Sequence, residues 1–286
     1  MRNKRTRLRK KRSKHRRTRR KISKGGNNPI NIASCDKCHY GDNLFILKFI
    51  YNNSNILKQK GVKVNLYYNN EYCSNSNELE QYTDKDVVTL HPISQKPPNT
   101  HILWMGDAID NVNFYEMEEY FKKYYAKLAS ILGLDPNTTD ISLYQKEEYL
   151  LYIYDIMPNK YKDLDILIIN AEPKSDQFTY NIQKMNDMCM RLKDKYKIAT
   201  TAPVDDSIPS TMRDKLTMRD IGAISTKAKY IIAVHSGPFV PCYNLDTKNN
   251  VKKIILLLNG KYVFKEMNVI LINDIEELSD IEKHLV

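Results

Sequence analysis

Ile231-Ile232-Ala233-Val234-His235-Ser236-Gly237-Pro238 is the stretch that decides the fold. Four apolar residues, three of them β-branched and one small, read as the end of a buried strand that begins at Tyr230. His-Ser-Gly-Pro then reads as a turn that opens a helix. A counterpart lies near the other end, Cys38-His39-Tyr40-Gly41-Asp42-Asn43-Leu44-Phe45, again a turn running into a helix. One such turn in each half predicts an α/β protein of two Rossmann-like domains facing each other across a cleft, residues 29–160 and 161–286.

The segments between these turns fit that prediction. In the first half the pattern predicts a short strand over 29–34, a helix from Asp42 to about Lys58 stopped by Gly61, and a strand over 62–68. Further strands are predicted at 87–90 and 102–105. Phe114, Met117, Phe121, Tyr124, Leu128 and Ile131 recur at helical spacing up to Gly133, and a second helix is predicted over about 143–157. Pro158-Asn159 marks the boundary. In the second half, strands at 165–170, 197–201, 230–234, 253–258 and 268–272 alternate with helices over about 180–196 and 218–228. Strands alternating with helices predict mostly parallel sheets.

Charge is divided sharply along the chain. Of 45 Lys and Arg, 15 fall within residues 1–24, where Asp and Glu are absent; residues 25–286 carry the other 30 against all 34 acidic side chains. The net charge of +11 therefore belongs to the tail. Residues 1–28 are expected to be a disordered basic arm, suited to polyanion contact through residues 1–24. The mildly acidic body is not expected to bind nucleic acid. The basic start is not followed by the apolar stretch of a signal peptide, and no run approaches the ~18 apolar residues of a membrane span. A soluble protein, cytoplasmic or nuclear and not secreted, is the expectation. Five cysteines, an odd number with one close pair, point to a reducing compartment.

Three turns carry the candidate chemistry. Gly41 lets the backbone approach a ligand, and Asp42 follows it in the first turn of a helix, either as a cap or as a general base on a hydroxyl. Asn43 lies beside it on the same loop. His235, Ser236 and Gly237 follow a strand, where ligands of parallel α/β sheets sit. There the turn is a phosphate site with His235 as proton donor or positive charge, or a tight turn with a capping serine. Lys174 and Ser175, in Ala171-Glu172-Pro173-Lys174-Ser175, also follow a strand, and a lysine suits phosphate as a point charge. Thr217 and Asp220 read as a capping pair. Cys35-Asp36-Lys37-Cys38-His39 fits covalent haem attachment, a zinc half-site with His91, His101 or Cys73, or a redox dithiol. The expected reading is incidental spacing, with the pair dispensable for folding and no metal bound.

These turns resemble those of GT-B-fold glycosyltransferases, closest in pattern to the heptosyltransferase-like group. Gly41-Asp42 is similar to the Gly-Asp pair that opens the group's acceptor-domain helix, which implies Asp42 as catalytic base. Leu216-Thr217-Met218-Arg219-Asp220 followed by Ser236-Gly237-Pro238 is similar in order and spacing to the group's donor-domain motifs. Leu128 to Leu134 resembles the helix end before its linker. His235 stands where the group has Asp, and Ala171 to Ser175 where it has a Gly-rich turn with Lys-Arg. The resemblance implies a metal-independent transferase without a cofactor, taking a nucleotide-sugar as donor and a glycan or protein as acceptor. In its basic tail and its Asn/Lys/Ile/Tyr-rich style the chain is similar to proteins of large DNA viruses. The other reading of the sequence is a non-catalytic α/β binding protein, virion-associated, whose tail contacts nucleic acid.

Overall fold

A computed structural model describes residues 28–104, 115–174 and 178–285. Residues 1–27 of the basic tail, Phe114 and Ser175 lie outside the described residues. The first half runs β1 (Ile30–Ala33), α1 (Tyr40–Asn52), α2 (Ser54–Gln59), β2 (Val64–Tyr68), α3 (Asn77–Glu80), β3 (Val88–Pro92), β4 (His101–Ile102), α4 (Met117–Ile131) and α5 (Glu148–Asp155). The second runs β5 (Ile166–Ile169), α6 (Ile182–Lys193), β6 (Ile198–Thr200), α7 (Met218–Ser225), β7 (Tyr230–Val234), α8 (Leu245–Asn250), β8 (Lys253–Leu257) and β9 (Val269–Ile272). Tight 3-10 turns of helix cover Gly237–Cys242 and Ile275–His284.

The strands form two sheets, β3-β2-β1-β4 and β6-β5-β7-β8-β9, with every pairing parallel. In both, the chain steps outward on one side and then returns to the other side of its first strand. The reversal falls between β1 and β4 in one sheet and between β5 and β7 in the other. At such switch points the loops after adjacent strands diverge and leave a crevice beyond the strands' carboxyl ends.

Alternation of side chains explains why the second sheet is buried on both faces. Leu167, Ile169, Ile231, Ala233, Ile254 and Leu256 face one core, which also holds the buried side chains of α1 and α4. Ile166, Ile168, Ile232, Val234, Ile255 and Leu257 face a second core under α6. A period of two places successive residues on opposite faces, so a doubly covered strand reads as an unbroken apolar run. The first core is continuous from one sheet to the other, because α1 is buried from Asn43 to Ile50 and meets both halves.

Polar contacts fasten that junction. Lys48 of α1, 3% exposed, pairs with the Glu147 carboxylate at 2.8 Å and donates to the carbonyls of Tyr243 at 2.9 Å and Val240 at 3.3 Å. The Arg219 guanidinium of α7 lies 4.3 Å from the Tyr51 ring centre and 4.4 Å from that of Tyr149. Such a stack holds a cation where its hydration is stripped.

Three helix boundaries differ from the sequence expectation. The first helix begins at Tyr40, not Asp42, because His39 is its N-cap and Gly41 lies inside its first turn. It breaks at Asn53, whose backbone N–H bonds back to Phe49 and Ile50 and whose carbonyl starts α2. The helix predicted from about Leu143 begins only at Glu148, since Gln145 is extended and bridges to Asn244. Gly61 and Gly133 end α2 and α4 at φ of 67° and 68°, the left-handed region where lack of a Cβ avoids a clash.

Candidate active site

A cavity of about 420 Å³ opens where the two switch points face one another. Its lining is supplied by the loops after five strands: Cys35 to Asp42 after β1, Trp104 after β4, Glu172 and Lys174 after β5, His235 to Pro238 after β7, and Tyr262 after β8. The volume is in the range of small-molecule sites.

Asp42 occupies the third position of α1. Its Oδ2 accepts the backbone N–H of His39 at 3.0 Å, so the carboxylate closes a capping box and also faces the cavity. Burial pushes its carboxyl above the ordinary carboxylate range, against the hydrogen bonds from the His39 and Asp42 backbone and the charge of His39, which favour the anion. A carboxylate raised in this way is a better proton acceptor near neutral pH. The capping role and the basic role are compatible: one oxygen is tied to the helix, which orients the group.

Opposite Asp42, the β7 turn presents His235, Ser236 and Gly237. Ser236 is the N-cap residue of the following 3-10 segment, and its hydroxyl donates to the Val234 carbonyl at 3.2 Å. The imidazole of His235 is packed edge-on against Phe239 and Tyr243. Burial pushes its pKa down to about 4, so at neutral pH the ring carries no charge, and the positive charge considered from sequence is not available there. Nε2 lies 3.1 Å from the buried Tyr243 hydroxyl. Either group can donate across this contact, and the ring's tautomer sets the direction. Nδ1 is buried and has no partner.

Lys174 brings an exposed positive charge to the rim, and Lys37 brings another from the β1 loop. Asn43 is not part of the lining. It is fully buried behind the β1 loop, where Oδ1 accepts from Ser34 Oγ at 3.0 Å and Nδ2 donates to the His39 carbonyl at 3.0 Å. Thr217 and Asp220 form the capping box of α7.

Several lining residues carry no local sequence signal. Trp104, the one tryptophan of the chain, is 39% exposed and forms part of the wall. His39, also in the lining, meets Tyr72 edge-on with ring centres 4.7 Å apart. Trp104 stands at the end of a two-residue strand, and its place at a switch point is set by sheet order alone.

Cys35 and Cys38 are joined in a disulfide, and both line the cavity. The incidental reading of this pair is thereby overturned: their carbon skeletons meet because Cys38 N–H bonds to the Cys35 carbonyl at 3.3 Å, folding the intervening Asp36-Lys37 into a tight turn. Among the described residues, no group of three or more His, Cys, Asp or Glu is placed to hold a metal ion. Two Asp-x-Asp spellings lie away from the cavity: Asp84 pairs with Lys58 at 2.6 Å, and Asp165 with Lys229 at 2.7 Å. No described helix is long and apolar enough to cross a membrane.

No protein-family model and no curated protein matches the chain in sequence. Solved structures do match it in fold. The E. coli heptosyltransferase WaaC with ADP-2-deoxy-2-fluoro heptose aligns with a TM-score of 0.53 and 9% identity, covering 90% of this chain and 99% of that one. The same enzyme with ADP aligns at 0.51 and 9% identity over the same shares. A glycosyl transferase family 9 protein from Veillonella parvula aligns at 0.43 and 10% identity, covering 90% and 89%. At these identities the likeness is one of fold, and it extends over nearly the whole of the WaaC chain.

Proposed function

We propose that the chain is a glycosyltransferase of GT-B type that moves a sugar from a nucleotide-sugar donor to an acceptor hydroxyl without a metal. Residues 29–160 hold the acceptor and residues 161–286 hold the donor. The observation that carries the reading is the cavity itself. It sets a half-buried carboxylate with a raised pKa across from a lysine-flanked turn beyond β5 and β7. The fold shared with WaaC, a protein solved with ADP and with an ADP-sugar, supports the same reading.

In this reading Asp42 removes the proton from the acceptor hydroxyl as its oxygen attacks the anomeric carbon from the face opposite the leaving group. The bond to the diphosphate breaks, and negative charge grows on the leaving oxygen. Lys174 and Lys37 offset that charge, together with the dipoles of the His235 to Gly237 turn. Trp104 and Tyr262 offer flat apolar faces to a sugar or base ring.

The experiment is calorimetry of the full chain against ADP, UDP and GDP, followed by turnover assays with the sugar derivatives of whichever binds, with and without a chelator. Binding of one nucleoside diphosphate and chelator-resistant turnover are expected. Binding of none would remove the donor site, and binding without turnover of any sugar derivative would leave a ligand-binding protein.

A further inference from the structure

We propose that the Cys35–Cys38 disulfide is a positioning device for Asp42, so that its two-electron reduction switches the cavity from an ordered to a slack state. The inference rests on the proposed role of Asp42 only for its effect on turnover; the structural effect stands by itself.

The connection runs through the backbone. Cys38 is the residue before His39, and the His39 N–H is the group that holds the Asp42 carboxylate. The His39 carbonyl accepts the Asn43 side chain, and the same Asn43 accepts from Ser34 on the far side of the turn. The cysteine turn is thus enclosed by contacts that all converge on the start of α1. Outside the disulfide, the turn is tied by the Cys38 N–H on the Cys35 carbonyl at 3.3 Å, by the Asp36 carbonyl, which accepts from Asn69, and by the Asp36–Lys96 ion pair at 3.1 Å. The exposed pair is a weak restraint. The covalent link is therefore the strongest element fixing where His39 places its N–H.

The two sulfurs differ in access. Cys38 is 2% exposed and Cys35 is half-buried on the cavity side, so a thiolate reaches Cys35 first. With a dithiol as reductant, its thiolate attacks the Cys35 sulfur, the S–S bond breaks, and Cys38 departs as a thiolate that takes up a proton. The second thiol of the reagent then displaces Cys35. The reagent leaves as its disulfide, and two electrons and two protons have passed to the protein. The three other cysteines, Cys73, Cys189 and Cys242, are buried thiols, each pushed up to about 12 by burial and so poor competitors in the exchange.

The test uses the full chain in both redox states. Alkylation of the air-purified protein after denaturation should label three thiols, Cys73, Cys189 and Cys242, and five after dithiothreitol. Amide exchange at residues 40–44 should run roughly five- to tenfold faster in the reduced protein, the scale of one lost helix cap, with the β7 and β8 amides unchanged. Where a sugar is transferred, kcat should fall with reduction and KM for the donor should hold; re-oxidation should restore both measurements. A Cys35→Ser, Cys38→Ser double variant should match the reduced form. If that variant fails to fold, the reversible wild-type cycle decides alone. Five labelled thiols before reduction, or equal exchange at residues 40–44 in the two states, would overturn the proposal. Exchange that responds in a chain without any transferase turnover would instead count against the transferase reading and leave the positioning role standing.

Discussion

Gly41 and Gly237, 196 positions apart in sequence, stand backbone to backbone at the floor of the cavity: a methyl group built on Gly41 lies 3.7 Å from Gly237 Cα, and one built on Gly237 lies 3.5 Å from Gly41 N and 3.2 Å from Tyr40 Cβ. The turns after β1 and β7 meet at these residues. No side chain separates the two backbones there, so the turn that carries Asp42 packs directly against the turn after β7.

Substitution at the two glycines should therefore be unequal. A Cβ on Gly41 meets Val240 Cγ2 at 3.5 Å, an ordinary contact, so Gly41→Ala should change stability by less than about 1 kcal/mol. A branched side chain on Gly237 would press on Tyr40 Cβ and the Gly41 backbone, so Gly237→Val should cost about 1–3 kcal/mol, the usual scale of overpacking, and should abolish nucleoside diphosphate binding. Urea unfolding and calorimetry on both variants check this. Full-strength binding by Gly237→Val would mean that the ligand does not sit against this turn.

Asp42→Asn should keep ligand binding and lose turnover by about 100-fold or more, the scale of a missing general base. In the wild type, burial raises the folded carboxyl above its unfolded value, so the folded state holds the proton longer. Stability from this group is then full in acid and falls as pH rises through the folded pKa, while activity rises over the same interval. The activity profile should have its acid limb above the ordinary carboxylate position. Asn should flatten both trends, because its amide oxygen still accepts from the His39 N–H but does not titrate.

His235 should behave in the opposite sense. Its folded pKa, about 4, is below the unfolded value of 6.5, so its contribution to stability is complete above 6.5 and is lost as pH falls toward 4. His235→Gln should shrink the fall in melting temperature between those two values and leave the alkaline side unchanged. An unaltered acid slope in this variant would show that the ring is not buried neutral.

Much of this arrangement was legible in the chain, for identifiable reasons. Strands buried on both faces appear as apolar runs such as Ile166–Ile169 and Tyr230–Val234, and the polar turns after them mark their ends. Two parallel sheets and the turns at Gly41 and Gly237 follow from that pattern. The start of α1 was hidden because histidine is an uncommon cap and Gly41 reads as a breaker, although it lies within the helix. Leu143 and Tyr144 have helical spacing with α5 but are buried in a bend just before the Gln145 bridge, where tertiary contact overrides propensity. Trp104, Lys37 and Tyr262 reach the cavity through sheet order and loop path, which local spacing does not encode. The Cys35/Cys38 pair was compatible with three chemistries or with incidental spacing, and only the turn geometry selects the disulfide.

Lys48 should be the most costly single side chain to remove from the junction of the halves. It forms an ion pair with the Glu147 carboxylate at 2.8 Å and donates to two carbonyls of the Val240 to Tyr243 segment in a site with almost no water access. Lys48→Met preserves much of the volume but leaves Glu147, 1% exposed, without its cation, and breaking a buried pair in this way costs about 3–5 kcal/mol. The double variant Lys48→Met, Glu147→Leu should recover much of that loss. Urea unfolding of the two variants measures the difference, and equal destabilisation in both would assign the cost to packing instead of charge.

The tail should carry any polyanion binding. Residues 1–24 hold 15 basic side chains with no acidic ones, and the rest of the chain has a small acidic excess. Deletion of residues 1–24 should remove salt-sensitive binding to duplex DNA, for which affinity falls steeply between about 50 and 200 mM salt when several phosphates are neutralised. The truncated chain should keep its melting temperature and its nucleoside diphosphate affinity, because both cores are built from residues beyond the tail. Titration of labelled duplex with both forms at two salt concentrations is the measurement. Tight binding by the truncated form at the higher concentration would place a nucleic-acid surface on the α/β body itself.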